Sequence, residues 1–336
     1  METILCGDAL EQLRTLEAES IQTCVTSPPY YNLRDYGTAG QIGMEETPEE
    51  YIAKLVEVFR EVHRALRPDG TLWINIGDSY ATRSGPQPPG NTHNQCGHTA
   101  KQPPAGYKYK DMIGIPWMLA FALRSDGWYL RQDIIWHKTN AMPESVRDRC
   151  TKAHEYIFIL SKSPRYYFDA AAISEPIADS STERYLQDIE AQKGSDRQPG
   201  KTNGKMKAVL PRFGGEKYGP DRSEESRTKS GKPYVPTLRR NKRDVWAIGT
   251  GGFKGAHFAV FPEKLVEPCI LAGCPEGGTV LDPFAGSGTT GVVAKRLRRH
   301  FVGVEINPDY WKMATDRILD TMAEFDQITI EEAQLI

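Results

Sequence analysis

The sequence predicts an open α/β fold: a mostly parallel sheet, doubly wound with helices. Three observations predict it. The run Ile21-Gln22-Thr23-Cys24-Val25 is short, β-rich and halted by Pro28-Pro29, as a buried strand is. Residues 48–66 carry apolar groups at helical spacing, and 71–76 then return to a strand pattern. This strand–helix–strand unit requires parallel pairing. Near the other end, Thr279-Val280-Leu281-Asp282 leads through a glycine-rich loop into a helix, and 301–305 form a further strand.

Taken in order, residues 2–6 read as the first strand, followed by Gly7 and Asp8. Asp8 has two local readings: N-cap of a helix over 9–16, or an acid reaching a ligand from a strand end. After the second strand comes Thr26-Ser27-Pro28-Pro29-Tyr30. Two prolines cannot continue a ladder, so the chain leaves the sheet in a stiff extended loop. Thr47, Pro48 and the acids Glu49 and Glu50 start a helix. Arg67-Pro68-Asp69-Gly70 should end it. Asp78 and Ser79 should lie on the Ser27 rim, as cap or pocket residues. Residues 81–110 are rich in Gly, Pro, Asn and Gln and read as a long functional loop. His93, Cys96 and His98 within it are three candidate metal ligands with no fourth nearby, so no metal is expected. A helix is expected over 115–123, and strands over 129–137 and 155–160. Residues 140–145 form a loop suited to close over a substrate.

Between about 165 and 243 regular apolar spacing disappears. Residues 193–243 hold fifteen Lys or Arg against five Asp or Glu, in a chain of net charge −2. Phe213, Tyr218 and Tyr234 are interleaved. Such a segment is the footprint of a phosphate-backbone partner, or else a solvated charged linker. Order returns with a short strand or anchor over 243–248 and a helix ending near Gly273.

The chain has 336 residues, 39% hydrophobic and 26% charged, which fits a globular protein of two domains or one enlarged domain. No apolar run approaches the ~20 residues of a membrane span. The first residues lack the basic and apolar regions of a signal peptide. The six cysteines show no CxxC pair and read as reduced thiols of a cytoplasmic protein.

Two stretches carry chemistry. In the first, the Ser27 hydroxyl oxygen and the Pro28 carbonyl can each accept an N–H from the exocyclic amine of a nucleobase. That favours a more tetrahedral nitrogen with a freer lone pair. Pro29 stiffens the loop, and Tyr30 is placed to stack on a base or simply to pack. In the second, Gly286, Gly288 and Gly291 match GxGxxG, alone a weak sign of a dinucleotide. Here Asp282-Pro283-Phe284 precedes the loop. Asp282 suits an ammonium group, Phe284 an adenine or a sulfonium chain, and Glu305 two ribose hydroxyls. Asp8 can accept from an adenine amine. No P-loop lysine is present. Ammonium, ribose and adenine together describe S-adenosylmethionine.

With both motifs in this order, the chain resembles the DNA amino-methyltransferases of the circularly permuted β group, cytosine-N4 or adenine-N6 specific. The resemblance covers about 1–80, 112–170 and 240–320. It implies a Rossmann-like S-adenosylmethionine-dependent methyltransferase fold. The sheet would have seven mostly parallel strands, its last strand near 155–160 antiparallel, and strands 279–281 and 301–305 lying beside strand 2–6. The catalytic half would be 1–165, the target-recognition insert 166–243 and the cofactor half 244–336. Implied catalytic residues are Ser27, Pro28, Pro29 and Tyr30. Implied cofactor residues are Asp8, Asp282, Phe284, Gly286, Gly288, Thr289, Glu305 and Asn307. Duplex DNA is the implied partner, with Lys205, Lys207, Arg212, Arg239, Arg240 and Lys242 as its contacts. A homodimer and a cognate restriction endonuclease stay open. In the resembling family a serine at the first motif position is more usual in cytosine-N4 enzymes, so Ser27 favours cytosine N4 over adenine N6. The methyl group's acceptor proton is expected to leave to solvent, since no strong base is evident near Ser27. A nicotinamide dehydrogenase, a non-catalytic DNA-binding protein and an RNA or protein amide methyltransferase remain as other readings of the same residues.

Overall fold

Alternating burial along the strands decides how this chain is layered. The computed structural model describes residues 2–35, 37–81, 103–177, 239–251 and 261–333, with side chains described as far as 321. Chain contacts divide it into two units, Met1–Ala172 with Arg243–Ile336, and Ile173–Lys242.

The first unit holds eight strands and six helices among the described residues. The strands are β1 (Glu2–Cys6), β2 (Ile21–Thr26), β3 (Leu66–Ile76), β4 (Tyr129–His137), β5 (His154–Ser161), β8 (Val245–Ala247), β9 (Thr279–Asp282) and β10 (His300–Glu305). The helices are α1 (Ala9–Arg14), α2 (Pro48–Ala65), α3 (Ile115–Ser125), α4 (Glu263–Gly273), α5 (Thr289–Arg296) and α6 (Pro308–Ala333). The strand order is β1-β10-β9-β2-β3-β5-β4-β8. Pairing is parallel throughout except where β5 meets β3 and β4.

Chain ends meet in this sheet: β1 pairs with β10, Cys6 opposite Glu305, and β9 lies between β10 and β2. All six residues of β2 are buried, as a central parallel strand requires. On one face Cys24, Leu72, Ile74 and Ile76 join the core formed with α1, α2 and α3. Val25 and Trp73, one residue out of phase, face Leu265 and Cys269 of α4. Gly273 lets α4 come close: a Cβ there would sit 2.7 Å from Trp73 Nε1 and 2.8 Å from Thr23 Oγ1.

α2 starts as its sequence dictates. Thr47 Oγ1 accepts from the Glu50 N–H at 3.2 Å, and Glu50 Oε2 accepts from the Thr47 N–H at 3.3 Å. Asp8 caps α1, accepting from the Glu11 N–H at 3.0 Å.

Three expectations are corrected. The sheet has eight strands, because Val245–Ala247 adds a short parallel strand against Ile135, Trp136 and His137. The antiparallel strand β5 lies inside the sheet, between β3 and β4. Residues 67–70 do not cap α2; extended backbone begins at Leu66, and the β2–β3 ladder slips between Ile21 and Thr23. Pro68 has no N–H for a ladder, so this is where the pairing breaks. His93, Cys96 and His98 lie outside the described residues. The second unit shows a two-stranded ribbon, β6 (Glu175–Pro176) with β7 (Arg239–Arg240).

Gly291 sits in the first turn of α5 under α6. A Cβ there would fall 2.3 Å from Ile318 Cδ1 and 2.8 Å from Phe301 Cδ1. Alanine normally stabilises a helix relative to glycine; here overpacking reverses the sign. Gly291→Ala should destabilise the fold by about 1–3 kcal/mol in a denaturant titration.

Candidate functional site

Two loops that leave adjacent strands form the site. The Ser27 loop leaves the carboxyl end of β2, and the glycine loop leaves the carboxyl end of its neighbour β9. They line one cleft of about 450 Å³, together with the ends of β1 and β10. Open α/β sheets place ligands in this crevice. Of the residues singled out in the sequence, Asp8, Ser27, Pro28, Pro29, Tyr30, Phe284, Gly286, Thr289 and Glu305 all face it.

Asp282 does not line the cleft. Its carboxylate is 0% exposed and lies behind the wall. Oδ1 accepts from Thr26 Oγ1 at 2.6 Å and from the Phe284 N–H at 3.1 Å; Oδ2 accepts from Thr290 Oγ1 at 2.7 Å. Burial pushes its pKa up to about 6, against the lowering effect of these bonds.

Gly288 also looks away. Its φ is +80°, and a Cβ would meet Ala314 Cβ at 2.9 Å, so this glycine serves close packing of the loop on α6. Gly286 lines the cleft, and its N–H donates to Glu305 Oε2 at 2.8 Å. Glu305 Oε1 accepts from the Asn307 N–H at 2.9 Å. Each Glu305 oxygen keeps lone-pair capacity for a further donor, such as a hydroxyl. Burial first, then Asp282, raises its pKa against its backbone bonds. Asn307 caps α6, its Oδ1 accepting from the Asp309 and Tyr310 N–H groups. Ile306 and Tyr310 reach the cleft instead. Arg317 of α6 steadies the glycine loop, donating to Ser287 Oγ at 3.0 Å.

The Ser27 loop is pinned from α2, where Tyr51 donates its hydroxyl to the Pro29 carbonyl at 2.7 Å. Asp78 and Ser79 prove to be structural. Asp78 Oδ1 accepts from Gly114 and Ile115 N–H at the start of α3, and Ser79 donates to the Tyr31 carbonyl. In the 140–145 loop, Asn140 Oδ1 accepts from the Thr250 N–H at 2.7 Å.

Among the cleft residues that sequence reading missed are Asn75, Lys138 and Glu155. Tyr30 donates its hydroxyl to Glu155 Oε2 at 2.7 Å, and Asn75 Nδ2 donates to the same oxygen at 3.3 Å. Lys138 pairs with Glu155 Oε1. The signal was Asn75 inside the apolar run Leu72-Trp73-Ile74-Asn75-Ile76, since a buried polar group needs partners. A carboxylate thus stands one residue behind Ser27, where no base was expected.

Of the expected DNA contacts, Lys205, Lys207 and Arg212 lie outside the described residues. In the second unit Arg239 donates to Ser174 Oγ at 2.7 Å, and Arg240 and Lys242 pair with Glu175 at 3.5 and 3.2 Å. No group of three or more His, Cys, Asp or Glu residues able to hold a metal ion occurs among the described residues. No described helix is long and apolar enough to cross a membrane.

The fold is an open α/β sheet whose adjacent strand ends share one cleft. A family model described as DNA methylase, covering N6 and N4 methyltransferases, matches residues 21–316. The chain belongs to this DNA methylase family. It is similar to the type II methyltransferase M.SmaI of Serratia marcescens, 43% identical over 318 residues, covering 94% of this chain and 90% of that one. It is also similar to the type II methyltransferase M.Cfr9I of Citrobacter freundii, 42% identical, covering 94% and 87%. Among solved structures, the cytosine-N4-specific PvuII DNA methyltransferase shares the fold with a TM-score of 0.57 at 19% identity, covering 94% of this chain and 85% of that one. The M1.HpyAVI–SAM complex shares it with a TM-score of 0.51 at 17% identity, covering 95% and 99%.

Asp282 sets a pH test. Its folded pKa, about 6, lies above its ordinary value of 3.8, so the folded state binds a proton more tightly. Its contribution is fully present below about pH 4 and is lost as pH rises through 6, roughly 3 kcal/mol over that window. Asp282→Asn keeps acceptors for Thr26 and Phe284 and lets Thr290 turn to accept. Unfolding of the ligand-free variant at pH 4 to 7 should show a flatter stability profile than the parent.

Proposed function

We propose that this chain transfers a methyl group from S-adenosylmethionine to the exocyclic amine of a base flipped out of duplex DNA, and that the base is cytosine, modified at N4. The observation that carries the reading is that the Ser27 loop and the glycine loop line one cleft. The cleft residues fit the cofactor: a buried carboxylate with spare lone pairs at Glu305, aromatic faces at Phe284 and Tyr310, and Asp8 at the neighbouring strand end. When bound, S-adenosylmethionine supplies an electrophilic sulfonium methyl.

The protein's own residues do the rest. Ser27 Oγ and the Pro28 carbonyl accept the amine hydrogens, which frees the nitrogen lone pair. Tyr30 offers a ring face to the flipped base. Holding both reactants in line supplies much of the rate by proximity and orientation. The acceptor proton leaves to solvent. Ser27 at the first motif position supports cytosine; adenine N6 is the alternative product. The family's permuted order fits a sheet in which the first strand lies beside the last. Residues 166–243 act as the target-recognition insert, and a cognate restriction endonuclease would share its site.

Ser27→Ala removes one amine acceptor and should lower turnover by ~10²–10³ while sparing DNA affinity. Tyr30→Ala should weaken both, its DNA affinity by about 1–3 kcal/mol. Mass spectrometry of digested product DNA should find N4-methylcytosine. N6-methyladenine alone would overturn the base assignment, and no methylated base with both ligands bound would overturn the mechanism.

If the insert's Lys and Arg contact phosphates, affinity should fall by about 0.9 log units per log unit of salt for each phosphate neutralised. Deleting 195–230 should abolish DNA binding in a fluorescence-anisotropy titration and leave S-adenosylmethionine binding intact. A deleted chain that still methylates the same site refutes the role.

A further inference from the structure

A serine hydroxyl has one hydrogen and two lone pairs. To hold an amine N–H, Ser27 must accept, so its own hydrogen has to be taken elsewhere. Here Ser27 Oγ donates to Asn75 Oδ1 at 3.4 Å. Whether Asn75 offers its oxygen or its N–H₂ to Ser27 depends on which way the amide is turned. That choice is made on its far side. Asn75 Nδ2 donates to Glu155 Oε2 at 3.3 Å and to the Tyr156 carbonyl at 3.2 Å. A turned amide would set its oxygen against two acceptors.

We propose that Glu155 is the positioning residue of the amine site: through Asn75 it fixes the direction of the Ser27 hydrogen bond, so that Ser27 shows lone pairs to the substrate amine. The proposal rests on the amino-methyltransferase reading above.

Three further features support it. Glu155 and Asn75 are 8% and 4% exposed, so water is a poor substitute for either partner. Lys138 neutralises the carboxylate through Oε1 and leaves Oε2 to its two donors, the Asn75 amide and the Tyr30 hydroxyl. Burial, with Glu155 beside it, raises the Tyr30 pKa well above its ordinary value, so this phenol keeps its hydrogen and stays a donor. Tyr30 also lies 3.4 Å from Asn75 Oδ1 and within hydrogen-bond reach of Ser27, while the bonds from Asn75, Tyr30 and Lys138 all run toward the Glu155 carboxylate.

The register of the sheet builds this arrangement. Asn75 on β3 lies opposite Ile157 on β5, one pleat from Glu155, and Trp136 on β4 lies opposite Glu155, next to Lys138. Lys138 also lies over the Trp136 ring, 4.6 Å from its centroid, which holds the ammonium group in place.

Glu155→Gln tests the proposal in the full-length chain. A glutamine has one acceptor oxygen where the carboxylate has two. If its oxygen serves Lys138, its N–H₂ faces Asn75 and Tyr30; only the Tyr156 carbonyl then holds the Asn75 amide in place, and in the fraction of molecules where the amide turns Ser27 is forced to accept rather than donate. Its hydrogen then points at the incoming amine. Steady-state methylation of duplex DNA should show kcat lower by about 10- to 100-fold, less than the ~10²–10³ of a directly lost transition-state bond. KM for DNA and the dissociation constant for S-adenosylmethionine should stay at parental values. In a Ser27→Ala background, Glu155→Gln should lower kcat no further, because the hydroxyl it directs is gone. A general loosening of the fold would instead multiply the two losses. An unchanged kcat in Glu155→Gln, or multiplied losses in the double variant, overturns the proposal. If melting shows that Glu155→Gln does not fold, the volume-matched Asn75→Leu enters the same cycle and the same two outcomes decide. A parent chain that methylates no DNA at all overturns the amino-methyltransferase reading itself, before any variant is compared.

Discussion

The carboxylate of Asp282 is the interaction on which this molecule depends. It ends β9 and binds the hydroxyl of Thr26, which ends β2, at 2.6 Å. With its other oxygen it holds Thr290 in the first turn of α5. One buried group thus ties the loop that carries Ser27 to the loop that carries Gly286. Backbone pairing between β2 and β9 sets the strands side by side, but side-chain bonds at the strand ends set how the two loops diverge. Without that tie each loop would still exist, and their spacing would not be defined. In-line transfer between two bound molecules tolerates little error in that spacing.

The division of labour among acids follows from burial. Asp282 faces inward and organises the wall. Glu305 faces the cleft, half-satisfied by two backbone donors and open to more. Glu155 accepts from a lysine and two neutral donors. These three carboxylates differ above all in their partners.

Most of the fold was legible because its strands are apolar and its helices carry caps in sequence: Thr47 with Glu50, Asp8, and Asn307 before Pro308. The end of α2 was misread, since Pro68 and Gly70 look like terminators and are in fact a break within an extended segment. The eighth strand is three residues long and depends on pairing with β4, so no local pattern reveals its place. In the site, the linear motifs around Ser27 and Gly286 were visible because each lies on one loop. Asn75 and Glu155 lie on two strands and Lys138 just past the end of a third, and they meet only through register. Asp282 and Gly288 show the converse: motif membership marked them, but the Asp282 carboxylate points into the protein and Gly288 packs against Ala314 of α6.

The sheet's order has a consequence for how the protein comes into being. The Ser27 loop is synthesised early, while its partner carboxylate lies 256 residues further along. β1 stays an unpaired edge until β10 emerges to flank it. Contacts of such span make folding slow, because loop closure must precede any reward. A partly made chain therefore carries the Ser27 loop without the glycine loop that faces it. The cleft is complete only when the last strand slots between the first and β9.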